Sequence, residues 1–153
     1  MKRTSLKTNE CPVARSLDCI GDWWSLLIIR DAFDGLRRFG EFQRSLGVAK
    51  NILSARLRQL VADGLLEIVA GSENGRYGEY VLTARGRDLF PVIVALRQWG
   101  ESHFFRRDEP HSVLVDREDN RPVRKLEVLS KSGRVLKPAD TMVRKPSRAS
   151  AKP

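Results

Sequence analysis

A short stretch carries most of the chemistry in this sequence. GVAKNILSARLRQLVADG, Gly47 to Gly64, holds Lys50, Arg56 and Arg58 and no acid before Asp63. A solvated helix with three bases usually carries acids at i,i+4 spacing to pair with them. Bases without such partners suit the phosphate oxygens of a nucleic acid, and polar tips beside them suit base edges. Asn can pair bidentately with adenine and Arg with guanine. The reading therefore assigns Asn51 and Arg58 to base edges and Lys50 and Ser54 to the sugar-phosphate backbone. Ala55 is small enough to approach a groove wall. Arg56 lies on a flank, as a phosphate clamp or as a structural ion-pair partner.

Three more arginines belong to the same candidate surface. Arg37 and Arg38 either meet phosphates or form a plain solvated pair. Arg76 sits in GSENGRYG, where it either enters a narrow minor groove or is a hairpin charge offset by Glu73 and Glu79.

Other chemistry is thin. Cys11 and Cys19 are the only cysteines, and His103 and His111 the only histidines. No CxxC or HxxxH spacing exists, which speaks against zinc. No dinucleotide, P-loop or nucleophile-elbow motif is present. No catalytic residues, no metal and no cofactor are expected, and the chain is not expected to be an enzyme. Cys11 is the one reactive-thiol candidate. It precedes Pro12, so it should be extended and occupy the N-cap of a helix. A helix N-terminus, with Arg15 one turn on and Lys7 nearby, favours a thiolate that oxidants can modify. The alternative is that Cys11 merely packs. Cys19, flanked by apolar residues two turns along, reads as a core thiol.

The elements that must position these residues follow from periodicity and punctuation. Pro12 opens a helix carrying Val13, Leu17 and Ile20, which Gly21 ends. Asp22 caps WWSLLIIRDAF, apolar almost all round and so expected to be the buried central helix. Phe39, Phe42 and Leu46 mark a short amphipathic helix. Gly47 stops it in a left-handed conformation. The next helix runs from about Ala49 to Ala62, with a core stripe of Leu53, Leu57, Leu60 and Val61. Two short helices joined by a tight glycine turn form the helix-turn-helix pattern. LLEIVA and EYVL, around GSENGRYG, read as a hairpin. Thr83 caps a last helix bearing Leu89, Ile93, Leu96 and Trp99, which Pro91 should kink near Arg87. The fold class is α+β, mainly α: a winged helix-turn-helix with a C-terminal dimerisation helix and a small β appendage.

CPVARSLDCIGDWWSLLIIRDAFDGLRRFGEFQRSLGVAKNILSARLRQLVADGLLE and RYGEYVLTARGRDLFPVIVALRQWGE together resemble the HxlR family of bacterial winged-helix transcription regulators. The resemblance covers about Cys11 to His103. It implies a homodimer that binds operator DNA near its own or neighbouring genes. It also raises the weight of Cys11, since family members with a cysteine there are often thiol sensors. Trp23 departs from the pattern, standing where the family usually has a lysine or arginine. Aromatic residues on the last helix suggest a partner helix. The candidate dimer face comprises Val13, Leu17, Leu89, Ile93, Leu96, Trp99 and Phe104. A pocket built from Trp23, Trp24 and Trp99 is the weaker reading of those rings.

The 153 residues carry a net charge of +9. The excess sits at the ends: residues 1–15 are +3, residues 16–105 are neutral, and residues 106–153 are +6. The expected organisation is a flexible arm over 1–10, the winged domain over 11–105, a β appendage over 106–143 and a disordered basic tail over 144–153. No apolar run is long enough to span a bilayer, and the N-terminus lacks a signal-peptide core. The expected setting is cytoplasmic and nucleoid-associated. The expected partners are double-stranded DNA, a second copy of the chain and a small-molecule or oxidant effector, with no membrane. The competing function is a winged-helix module for protein or RNA interaction without operator specificity. That reading does not require an acid-free outward face between Lys50 and Arg58.

Overall fold

The computed structural model describes residues 5–71 and 77–146. The chain divides into two compact units, Met1–Leu96 and Arg97–Pro153.

In the first unit, α1 (Pro12–Ile20) begins at Cys11, whose backbone is extended as a residue before proline must be. Ser5 and Leu6 hydrogen-bond to the Asp18 carboxylate on this helix. Helix α2 (Trp23–Phe33) starts at Asp22, whose carboxylate accepts the Ser25 amide at 3.0 Å. Helices α3 (Phe39–Leu46) and α4 (Lys50–Ala62) are joined through Gly47 at φ 61°, ψ 21°. That left-handed turn costs a glycine little and lets its N–H reach Gln43 O at 2.9 Å. Strands β1 (Leu66–Val69) and β2 (Glu79–Leu82) pair antiparallel, with Leu66 opposite Leu82 and Val69 opposite Glu79. The expected winged helix-turn-helix is present.

The core is built where α2, α3 and α4 meet the base of the hairpin. Ile28 and Ile29 of α2, Phe42 of α3 and Leu53, Leu57 and Leu60 of α4 are fully buried, joined by Leu65 and Leu66. Each such side chain contributes about 1.5–3 kcal/mol of burial. The α4 stripe is as expected, with Val61 only half-buried at its edge. Helix α2 departs from its all-round apolar reading: Trp23 is 74% exposed, while Ser25 and Asp31 are buried. Ser25 sits inside because Asp22 accepts its hydroxyl. Arg30 donates to Asp31 through Nε and Nη2.

Proline 91 has a larger effect than a kink. The helical path breaks at Asp88–Leu89 into α5 (Ala84–Arg87) and α6 (Phe90–Phe104). A proline ring clashes with the carbonyl four residues earlier, here that of Arg87. Thr83 caps α5 through the Gly86 amide at 3.0 Å and donates its hydroxyl to Gly64 O at 2.6 Å. One side chain thus ties this helix to the turn before β1. Leu89 and Ile93 pack on the core, and the Phe33 and Phe90 rings lie 5.2 Å apart.

The second unit holds the rest of α6 and the chain after it. Its β character is confined to two isolated antiparallel bridges, Val115 to Pro122 and Leu129 to Val135, with a 3-10 turn at Pro138–Asp140. The short strand-like runs expected here appear, among the described residues, only as these two bridges. One cause lies in Gln98, whose side chain donates to Arg124 O and accepts from Leu126 N. Those backbone groups are thereby withheld from a ladder. No apolar residue described in this unit is fully buried.

Candidate nucleic-acid interface

The interface is built outward from α4. Burial of Leu53, Leu57 and Leu60 fixes the rotation of the helix, so the opposite face must be solvent-facing. Lys50, Asn51, Ala55 and Arg58 are all exposed there. Ser54 is half-buried and lies 3.4 Å from Arg58 Nη2, a weak bond that steadies the guanidinium on the helix surface. Asp63, the first acid after Lys50, is half-buried and accepts from Gln59 at 3.0 Å. The exposed face of α4 from Lys50 to Arg58 therefore carries positive charge without an opposing carboxylate.

Arg56 does not belong to that face. Its Nε lies 3.4 Å from Asp22 Oδ1, and its side chain is only 38% exposed. The ion pair, one of the two readings left open for Arg56, is formed. Asp22 thus serves both as the cap of α2 and as the anchor of α4.

Arg37 and Arg38 stand at the entry to α3, and both carry more than solvent. Arg37 Nη1 is 3.7 Å and Arg38 Nε 3.5 Å from the carboxylate of Glu79. Glu79 opens β2 and is buried. The Arg37 carbonyl accepts the Tyr80 amide at 2.8 Å, which locks the same segment to the strand. Glu41 accepts the amides of Arg37 and Arg38 at 2.8 and 2.9 Å. These two bonds, chiefly that from Arg37, hold the Glu41 carboxyl below its ordinary value. The sequence reading named Glu79 only with Glu73, as charges offsetting Arg76 in one of its two alternatives, and missed this cluster. Its only sequence signal is an adjacent arginine pair about forty residues upstream. Arg76 lies outside the described residues.

The remaining candidates divide. Val13, Leu17 and Leu96 of the first unit are exposed, whereas Leu89 and Ile93 are half-buried against their own core. In the second unit Trp99 and Phe104 are 56% and 68% exposed and meet edge to face at 5.1 Å. Trp23 stacks edge-on against Trp24, and both belong to α2. Cys11 is exposed at the N-cap of α1, and its amide is held by Asn9 Oδ1 at 2.8 Å. Arg15 Nε also bonds within this turn, to Asn9 O. Cys19 is half-buried, and burial, with Asp63 next in weight, pushes its thiol up. Among the described residues no cluster of His, Cys, Asp or Glu is placed to hold a metal, and no helix is long and apolar enough to cross a membrane.

A helix-turn-helix with an uncompensated basic helix face, flanked by a two-stranded wing, places the chain among helix-turn-helix transcriptional regulators. Residues 19–108 match the HxlR-like helix-turn-helix family, and the chain belongs to it. An uncharacterized HTH-type transcriptional regulator of Mycobacterium tuberculosis, Rv3095, is 48% identical over 98 residues, which span 64% of this chain and 62% of that protein. The match thus reaches less than two thirds of the mycobacterial relative. Among solved structures, PA1607, a candidate transcription factor, is 56% identical with a TM-score of 0.89, covering 94% of this chain and all of that one. The redox regulator HypR in its oxidised form is 35% identical with a TM-score of 0.57, covering 63% of this chain and all of that one.

Proposed function

We propose that this chain is a sequence-specific DNA-binding repressor, acting as a homodimer on a palindromic operator and responding to oxidants through Cys11. The observation that carries the reading is the exposed, acid-free face of α4 formed by Lys50, Asn51, Ala55 and Arg58. In this reading residues 11–105 form the functional winged unit. Asn51 and Arg58 read bases, Lys50 and Ser54 hold the backbone, and Arg76 reaches the minor groove. The dimer uses the exposed apolar residues of α1 and α6, Val13, Leu17, Leu96, Trp99 and Phe104. Two copies then place two α4 helices in successive major grooves, about 10 bp apart or a multiple of that. The protein works in the cytoplasm on nucleoid DNA, and repression follows from occupying a promoter.

Cys11 has the exposure and the position that a thiol sensor needs. Its sulfur is open to solvent at the start of α1. With peroxide, the thiolate sulfur attacks one oxygen, the O–O bond breaks, and a sulfenic acid and hydroxide result, the hydroxide taking a proton from solvent to become water. The likeness to HypR, a redox regulator, supports this part of the reading.

Fluorescence anisotropy on the chain's own upstream region against a random duplex, at ~0.15 M salt, tests the operator. Preference for the upstream region is expected; equal affinity for both refutes operator specificity and returns the interaction-module reading. Repeating the titration after diamide, with wild type and Cys11→Ser, tests the sensor. Wild type should lose affinity while Cys11→Ser keeps it; equal behaviour of the two ends the sensor reading and leaves DNA binding standing.

A further inference from the structure

The apolar face of the wing does not end where the core does. Leu66 and Leu82 stand opposite each other at the wing root and pack into the core. Residues directly paired across two strands share a face, and so do residues two apart along one strand. Ile68 and Tyr80, the pair two positions further out, therefore continue that face. Ile68 is nonetheless 58% exposed. Here a groove of about 570 Å³ opens between the wing and α3. Phe39 and Tyr80 pack on the core and also form walls of this groove. Small-molecule sites occupy roughly 300–1,000 Å³ and combine an apolar lining with a few polar groups.

Two further observations point to an occupant. Gly40, in the first turn of α3, lines the groove, and a Cβ built on it would meet nothing within 4 Å. Its φ is not left-handed, so neither backbone conformation nor packing calls for glycine there. Glycine weakens a helix relative to alanine, and what its missing side chain leaves open is the groove. The second observation is the polar lining. Arg38 is engaged by Glu79, and Glu41 by the amides of Arg37 and Arg38. Arg44, one turn along α3 from Gly40, makes no hydrogen bond or ion pair with a described residue beyond the action of its charge on Glu41. The Tyr77 and Tyr80 hydroxyls also line the groove without a hydrogen bond to a described residue.

We propose that the groove between α3 and the wing binds a flat aromatic acid of naphthalene size, its rings against Phe39, Ile68 and Tyr80 and its carboxylate on Arg44. Ring walls favour a flat apolar body, and a guanidinium meets a carboxylate with two parallel bonds. The site stands apart from the DNA-binding reading, and only its regulatory effect rests on that reading. A bound acid adds a negative charge beside the helix-turn-helix, which opposes a polyanion.

The test titrates naphthoate, with naphthalene methanol as the uncharged analogue, into the isotope-labelled full chain and reads amide shifts by NMR. Shifts confined to α3 and the two strands are expected, with a Kd of about 1 mM or tighter. The acid should bind about five- to tenfold more tightly than the alcohol, and Arg44→Gln should erase that difference. Gly40→Leu, which fills the groove floor, should weaken both ligands about tenfold or more without lowering the thermal midpoint. Should that variant not fold, Gly40→Ala reads the same obstruction as a smaller loss. Saturating naphthoate should lower upstream-duplex affinity by up to about eightfold at ~0.1 M salt, as losing one phosphate contact does. No shifts, shifts elsewhere, equal binding of acid and alcohol by wild type, or undiminished binding by the Gly40 variants overturns the site. Unchanged upstream affinity with the groove filled overturns the regulatory effect. A flatter salt dependence in Arg44→Gln with no naphthoate binding means that the groove seats the DNA backbone, and the proposal falls. Naphthoate binding in a protein without upstream preference supports the site and counts against the operator reading instead.

Discussion

Replacing Asp22 by alanine should unfold the protein at markedly lower denaturant, by an amount its three contacts predict. The carboxylate caps α2 through the Ser25 amide, and losing such a cap costs about 1 kcal/mol, within a range of about 0.5–2. It also accepts the Ser25 hydroxyl, and Ser25 is 1% exposed, so that group loses its acceptor in a buried site. An unsatisfied buried donor costs about 1–3 kcal/mol. The hydroxyl can turn toward a carbonyl in the preceding turn, which argues for the lower end. The pair with Arg56 adds about 0.2–1 kcal/mol, since neither partner is fully sheltered. The three terms overlap, and the expected loss is about 2–3 kcal/mol. Urea denaturation at fixed protein concentration reads this as a midpoint lower by about 1 M, given a slope of about 2–3 kcal/mol per M. Asp22→Asn keeps the cap, because asparagine caps as well as aspartate, while it removes the ion pair and puts an amide NH2 where the carboxylate accepted the Ser25 hydroxyl. It should cost less than Asp22→Ala. A loss below about 0.5 kcal/mol for Asp22→Ala, or equal losses for the two variants, would refute this account of how α2 and α4 are joined.

Gly86→Ala should be severely destabilising, because its Cβ would lie 2.1 Å from Leu65 O, a backbone atom that cannot step aside; Gly40→Ala, in open space on α3, should instead gain up to about 1 kcal/mol in thermal melts. The lowered Glu41 carboxyl contributes stability that is present above the ordinary glutamate value and is lost as pH falls through its depressed folded value. An acid titration of stability should therefore show a shallower low-pH limb in Glu41→Gln than in wild type. Alkylation with iodoacetamide near pH 8, followed by mass spectrometry, should modify Cys11 first and Cys19 slowly, since the Cys19 thiol is pushed up and half-buried.

What was legible in the sequence is what repeats or punctuates locally. Gly47 between two amphipathic runs marked the turn, and the leucines of α4 marked its buried stripe. Those signals depend on residues within a turn or two of each other. The unread features join distant positions. Arg56 finds Asp22, and Arg37 and Arg38 find Glu79, across more than thirty residues. Charge type alone does not say which acid a base will meet. Trp23 misled for a related reason: apolar character predicts burial on average, but a residue in the first turn of a helix is inside only if a neighbour reaches over it. The β appendage is limited to two bridges where the Gln98 side chain competes for the backbone that strand propensity assumes is available.

The tie between Asp22 and Arg56 has a consequence for divergence within the family. Because one flank of α4 is pinned to α2 and its inner stripe is buried, the helix axis is set by residues away from its exposed face. Positions 50, 51, 55 and 58 are then free to vary at little cost to folding, since they are exposed and contribute little to the core. Point changes at these few places alter the exposed surface of the helix with no compensating repair elsewhere in the fold. Change at position 22 or 56 is different in kind. A substitution at either loosens the join between α2 and α4, which a change at an exposed position leaves intact.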